Sequence, residues 1–132
     1  MRRLITTLVF MMLLLTASAQ NREDTIKVVK TIDEVGSFKL FPTTNIWTFL
    51  KLDTRNGKIW QVQWSFEDTK RFESILSEIP LVFIDEEVNG RFTLYPTTNN
   101  YNFIMLDQIS GQTYQVQWSL EPEKRGILLI EK

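Results

Sequence analysis

The sequence predicts an all-β fold, two tandem antiparallel β-meander repeats packed together as a sandwich or a barrel. Two observations carry that reading. The stretch from Gly36 to Arg71 recurs from Gly90 to Arg125, offset by 54 residues without a gap, with roughly half the aligned positions identical. Within each copy the apolar residues alternate at period two between turn-forming residues, the texture of half-buried strands rather than helices. A repeated unit of this size is one supersecondary element that cannot bury its apolar surface alone, so the copies are expected to pack on each other.

The elements follow in order. The first strand of each copy is expected at Phe38–Phe41 and Phe92–Tyr95, ending at the shared Pro-Thr-Thr-Asn of residues 42–45 and 96–99. Proline presets φ, and asparagine favours turns and tolerates left-handed geometry. The second strands are expected at Trp47–Leu52 and Tyr101–Leu106, with Leu50 and Leu52 on one face and Trp47 and Phe49 on the other. Hairpin loops follow, opening on Asp53 and Asp107 and closing on Gly57 and Gly111 at the position that requires positive φ. The third strands, Ile59–Trp64 and Thr113–Trp118, carry the strings WQVQWS and YQVQWS.

Beyond the third strand the copies diverge. Ser65, Glu67 and Asp68 resemble a helix start, and Phe72, Ile75, Leu76 and Ile79 fall at helical spacing, so a short helix over residues 66–79 is expected between the repeats. The gapless alignment instead makes Arg71–Leu76 a strand, matching the apolar strand expected at Gly126–Ile130 of the second copy. Further strands are expected at Leu81–Ile84 and Ile26–Ile32, leading into each repeat.

The N-terminus, MRRLITTLVFMMLLLTASAQ, has the layout of a secretory signal: two arginines, about a dozen apolar residues, then Ala17-Ser18-Ala19. The apolar run is short of the roughly 20 residues that a spanning helix needs. The expected organisation is a signal peptide over 1–19 and one all-β domain over 20–132, built of repeats at about 26–80 and 81–132. Export to the periplasm or the extracellular space follows, with no transmembrane segment once the signal is removed.

Composition narrows the chemistry. The chain has no cysteine and no histidine. Disulfides, a lipid-modified cysteine, a histidine general base, a Ser-His-Asp triad and histidine-ligated zinc are thereby excluded. Without the leader, 13 basic residues face 16 acidic ones. That weak acidity argues against nucleic acid as a partner. No phosphate-binding loop, nucleophile elbow or metal-ligand cluster is visible, and no cofactor is expected. Only Asp53 with Asp107, or Glu67 with Glu121, could supply the two carboxylates of a glycoside hydrolase, which stand about 5–9.5 Å apart.

In the third strands Trp60, Val62 and Trp64 share one face, as do Tyr114, Val116 and Trp118, and these faces are expected to be core because aromatic rings bury so much surface. Gln61, Gln63, Gln115 and Gln117 fall on the opposite face and are identical in both copies. Positions expected to face solvent have drifted instead, with Lys51 against Met105, Thr48 against Asn102 and Arg55 against Ile109. The retained amides have two readings. They satisfy polar groups inside the structure, or, with Trp47 and Tyr101 as stacking platforms, they hold a glycan or an extended peptide.

The combination of YPTTN with LDTRNGKIWQVQWS resembles short exported proteins of gut-dwelling Gram-negative bacteria that carry one or two YPT…LDT-x-x-GK-x-W-QVQWS units. That group has no established activity, so the resemblance implies context rather than a mechanism. The second copy departs from the pattern at Gln108-Ile109-Ser110 and at Tyr114. A more distant likeness is to single quinoprotein-type β-propeller blades, through Leu52, Asp53, Gly57 and Lys58, with the tryptophan one residue early. No quinone site is implied by it.

The expected function is a non-catalytic binding or interaction module for a glycan or a protein. A structural or inhibitory subunit of an envelope assembly is the alternative, and a carboxylate-dependent hydrolase ranks below both. The oligomeric state is left open.

Overall fold

The computed structural model describes residues 36–132. The leader over 1–19 and the strand expected at Ile26–Ile32 lie outside the described residues. The rest forms eight strands in two separate antiparallel sheets. One holds β1 (Phe38–Pro42), β2 (Thr48–Asp53), β3 (Ile59–Gln63) and β4 (Phe72–Ser77), in that order. The other holds β5 (Phe92–Pro96), β6 (Asn102–Asp107), β7 (Thr113–Gln117) and β8 (Gly126–Leu129), again in order. Each repeat is therefore a four-stranded meander. The two sheets share no strand pairing and stack as a sandwich rather than closing into one barrel.

The strands and loops expected for the first three strands of each copy are present within a residue or two. The hairpin loops do what their glycines predict, with φ of 83° at Gly57 and 74° at Gly111. Gly57 has a second constraint: a Cβ there would stand 2.7 Å from Leu81 Cδ1. The Pro-Thr-Thr-Asn turns work differently from the expectation, since no described residue other than glycine has positive φ. Asn45 Oδ1 accepts the Trp47 N–H at 2.9 Å, and Asn99 Oδ1 accepts the Tyr101 N–H at 2.9 Å. Asparagine closes these turns with its side chain, as an Asx turn does.

Two expected elements are corrected. Residues 66–79 do not form a helix: a single 3₁₀ turn at Asp68–Lys70 leads into β4, as one at Pro122–Lys124 leads into β8. Helical spacing was misleading because β4 carries apolar residues on both faces: Ile75 pairs with Trp60 and is exposed, and the adjacent Leu76 is buried, at a bulge opposite Ile59/Trp60. Leu81–Ile84 is likewise not a strand but an irregular link ending in a 3₁₀ turn, Ile84–Glu86. Its Leu81 N–H donates to the Asn56 carbonyl at 2.8 Å, so its backbone serves the first repeat's hairpin instead of a sheet.

The core reveals how the repeats meet. In the first sheet the buried face carries Thr48, Leu50 and Leu52 of β2, Ile59 and Gln61 of β3, and Leu76 of β4. In the second it carries Phe92, Leu94, Phe103, Met105, Val116 and Trp118. These are opposite faces of the same unit. Leu50 corresponds to Ile104, whereas the buried Phe103 and Met105 correspond to Phe49 and Lys51. The sandwich is thus the aliphatic face of repeat one packed on the aromatic face of repeat two, small side chains filling between large ones.

This corrects two readings of the sequence. Trp60, Val62 and Trp64 are not core; Trp64 is 39% exposed, while its counterpart Trp118 is 2% exposed. Lys51/Met105 and Thr48/Asn102 are not solvent-facing drift either, because Met105 and Thr48 are buried. Each differs from its counterpart because one copy buries that face and the other does not. Among the described residues no helix is long and apolar enough to cross a membrane.

Candidate functional site

Gln61 lies at the sheet–sheet interface, 4% exposed. Its Nε2 donates to the Ser119 carbonyl at 3.0 Å, and its Oε1 accepts the Ser119 N–H at 3.1 Å. Both ends of the amide are consumed by the backbone of the other repeat. Gln61 is a structural clasp, buried too deeply to meet a ligand. Gln115, the equivalent residue, is half-buried on the outer face of the second sheet, and its amide donates to Asn102 Oδ1 at 2.9 Å.

Gln63 and Gln117 sit one pleat further along, at the ends of β3 and β7, and there the expected constellation does assemble. A groove of about 640 Å³ is lined by Asn45, Asn99, Asn100, Tyr101, Gln117 and Glu121, with Thr44, Trp118 and Lys124 among the remaining residues. Tyr101 is 52% exposed. Its ring lies 5.2 Å from that of Trp118, whose indole N–H donates to the Asn100 carbonyl at 2.9 Å. Packed tryptophan beneath therefore supports exposed tyrosine above. Gln117 Nε2 donates to the Lys124 carbonyl at 2.9 Å, which leaves its oxygen to face the groove.

The first repeat carries the equivalent site. Trp47, Gln63, Trp64, Ser65, Glu67 and Lys70 line a groove of about 300 Å³, together with Phe66. Every one of these has its 54-residue counterpart lining the larger groove. Trp47, Trp64 and Phe66 form an aromatic cluster with ring centroids 4.6–6.1 Å apart. The size difference has a structural cause. The larger groove includes Thr44 and Asn45 from the turn of the preceding repeat, and Thr44 Oγ1 donates across the seam to the Asn100 carbonyl at 3.4 Å. The smaller groove has no preceding repeat beside it among the described residues.

The carboxylates take structural parts. Asp107 is 3% exposed and accepts from the Arg91 guanidinium, from the Ile109 and Ser110 N–H groups and from the Ser110 hydroxyl. Burial alone would raise its pKa, but these donors outweigh it and hold the carboxyl at about 2. Asp53 is held below the ordinary carboxylate value in the same way: burial pushes it up, and Arg55 and Asn56 pull it further down. Burial raises the Tyr114 hydroxyl, as does the neighbouring Asp107 charge. Glu67 and Glu121 lie in different grooves, each paired with the lysine three residues on. Among the described residues, each of these two grooves holds one carboxylate.

Of the residues expected to bind, the structure thus brings Tyr101 with Gln117, and Trp47 with Gln63, into two equivalent grooves. It takes Gln61 away into the core and leaves Gln115 on an outer face. Asn45, Asn99, Asn100 and the Glu–Lys pairs were missed as lining residues. The signal for Asn45, Asn99 and the Glu–Lys pairs was present in Pro-Thr-Thr-Asn and Ser-x-Glu-x-x-Lys, both kept in each copy, whereas Asn100 aligns with Ile46 and had none. No protein-family model, no curated protein and no solved structure matches the chain.

Proposed function

We propose that this chain is an exported, non-catalytic binding module whose ligand is a neutral glycan held in the groove at Tyr101 and Gln117. The observation that carries this reading is the recurrence of one lining, aromatic platform, amide, serine and Glu–Lys pair, in both repeats. An exposed aromatic face can cover the apolar face of a sugar ring, while amides of Asn45, Asn99, Asn100 and Gln117 offer both donors and acceptors to hydroxyls. The charges lining the groove cancel within each pair, which favours an uncharged ligand. Export rests on the leader sequence. Catalysis finds little support, since the carboxylates are spent on arginines or paired with lysines one per groove.

The test is a glycan array probed with the purified chain, with Tyr101→Ala and Gln117→Ala as controls. Binding to a neutral oligosaccharide that both changes abolish is the expected result. An array without hits, or hits unaffected by either change, would sink the glycan reading. A second reading, a structural subunit of an envelope assembly, is favoured by the apolar outer face of the first sheet, where Phe38 and Leu40 are 50% and 59% exposed.

A further inference from the structure

The interface inside this chain is heterologous: one face of the repeat unit packs on the opposite face of the next unit. Two faces are therefore left over, and they are the same two faces. The first sheet leaves open its aromatic side, with Phe38, Leu40, Phe49, Trp60, Val62 and Ile75. In the second sheet the equivalents of Phe38, Leu40, Phe49 and Val62 are the buried Phe92, Leu94, Phe103 and Val116. The second sheet leaves open its aliphatic side, with Tyr95, Ile104, Leu106, Gln115 and Leu128, equivalent to the buried side of the first. We propose that chains associate head to tail through these two faces, a second copy's first repeat stacking on the second repeat as the two repeats stack within one chain.

Three details fit that occupant. The clasp has an unused counterpart, because among the described residues the Ser65 N–H has no partner, while Gln115 stands where Gln61 does on its own sheet. Stacking would bring Gln115 of one copy to Ser65 of the next, and the doubled QVQWS string then serves one clasp within each chain and one between chains. Secondly, the smaller groove lacks a preceding turn as well as counterparts of Asn99, Asn100 and Asn102; Thr98 and Asn99 of the neighbouring copy would supply the turn as Thr44 and Asn45 do in the larger one. Thirdly, the open aromatic face carries a Lys51–Glu73 pair where the intramolecular face has Met105 and Ile127. That polarity suits a surface that meets water before it meets a partner. A heterologous contact closes into a ring when the rotation per step allows and otherwise extends as a filament. Stacked four-stranded meanders close at four to eight units, or two to four of these chains.

The experiment measures the mass of the full chain in solution by sedimentation, for wild type, Leu40→Glu and Leu128→Glu. Both leucines are exposed in the single chain, at 59% and 64%, so each variant is expected to stay folded as a monomer, melting below the assembled wild type only by what association contributes. The wild type is expected as a whole-number multiple of the chain mass, and each variant as a monomer. Their equimolar mixture is expected to form a one-to-one pair, because each variant retains the face the other lacks. A monomeric wild type would overturn the proposal. So would a mixture that stays monomeric, or a variant that still assembles alone, since that marks contact between like faces. If either glutamate unfolds the chain, Ile75→Glu and Tyr95→Glu probe the same two faces. The outcome is independent of the ligand reading, as a failed glycan array leaves the mass unchanged.

Discussion

The two repeats are close copies in sequence, yet they are treated as opposites by the fold. WQVQWS in the first repeat buries its glutamine and leaves its last tryptophan half in water. YQVQWS in the second buries the tryptophan and leaves the first glutamine toward the surface. Local sequence makes the strand, but whether a side chain is core depends on which side the other repeat occupies. The difference teaches that a unit with two apolar faces is built to be stacked, and that its energetics belong to its place in the stack.

Matched substitutions in the two copies sharpen or break this comparison. They are best made in the Leu40→Glu background, so that association between chains does not blur them. The largest contrast is expected for tryptophan. Both indoles donate to a backbone carbonyl, at 2.9 Å from Trp118 and 2.8 Å from Trp64, so the hydrogen bond cancels and burial alone differs. Trp118→Ala is expected to cost about 3–5 kcal/mol in chemical unfolding, the usual cost of emptying a buried aromatic site, and Trp64→Ala less than half of that. Equal costs would break the account of the core.

The arginines come next. The Arg91–Asp107 pair is buried, its side chains 10% and 4% exposed, whereas Arg55 beside Asp53 is 36% exposed. Arg91→Ala takes a buried guanidinium from a buried carboxylate and should cost about 3 kcal/mol or more; Arg55→Ala also uncovers a buried carboxylate, 5% exposed, but removes a half-solvated cation and should cost less. The same asymmetry has a pH signature. Asp107 has its folded pKa at about 2, below its unfolded value, so its contribution is complete above the unfolded pKa and is lost as pH falls toward 2. On the order of 2 kcal/mol should disappear over that window, and Arg91→Ala should flatten the acid limb of the stability curve.

A smaller contrast is expected at the glutamines. Gln61→Ala leaves the Ser119 N–H without its partner, while the Ser119 carbonyl keeps the Arg125 guanidinium at 2.8 Å, and should cost about 2 kcal/mol; Gln115→Ala should cost well under 1 kcal/mol in the monomer. The smallest effect has the opposite sign. Among the described residues the buried Thr48 hydroxyl has no hydrogen-bond partner. Thr48→Val should therefore be neutral or stabilising by up to about 1 kcal/mol, as removing an unsatisfied polar atom without changing shape allows. A loss of stability there would place an unrecognised partner at the interface.

Much of this was legible in the sequence. The sequence located seven of eight strands, the hairpin glycines and the two halves of the sandwich, since strand alternation and turn residues are local properties. The fourth strand of the first copy was obscured because it carries apolar residues on both faces, Ile75 exposed and Leu76 buried, which with Phe72 and Ile79 imitate helical spacing. The choice of buried face was not legible from alternation, because both faces of each repeat are apolar. One clue did exist. Lys51 opposite Met105 in the alignment was a mark of the face that one copy exposes, and it reads as random drift until the stacking is known. The grooves were half legible: identical residues in both copies pointed to Trp47, Tyr101, Gln63 and Gln117, but identity alone could not separate a clasp such as Gln61 from a lining residue.

The most direct measurement is backbone hydrogen exchange at Ser65 and Ser119, the same serine of the same string, in the monomeric Leu40→Glu chain. The Ser119 N–H is bound to the buried Gln61 amide and should be strongly protected. The Ser65 N–H should exchange close to the rate of an open amide. Equal protection at the two serines would contradict the claim that the repeats bury opposite faces.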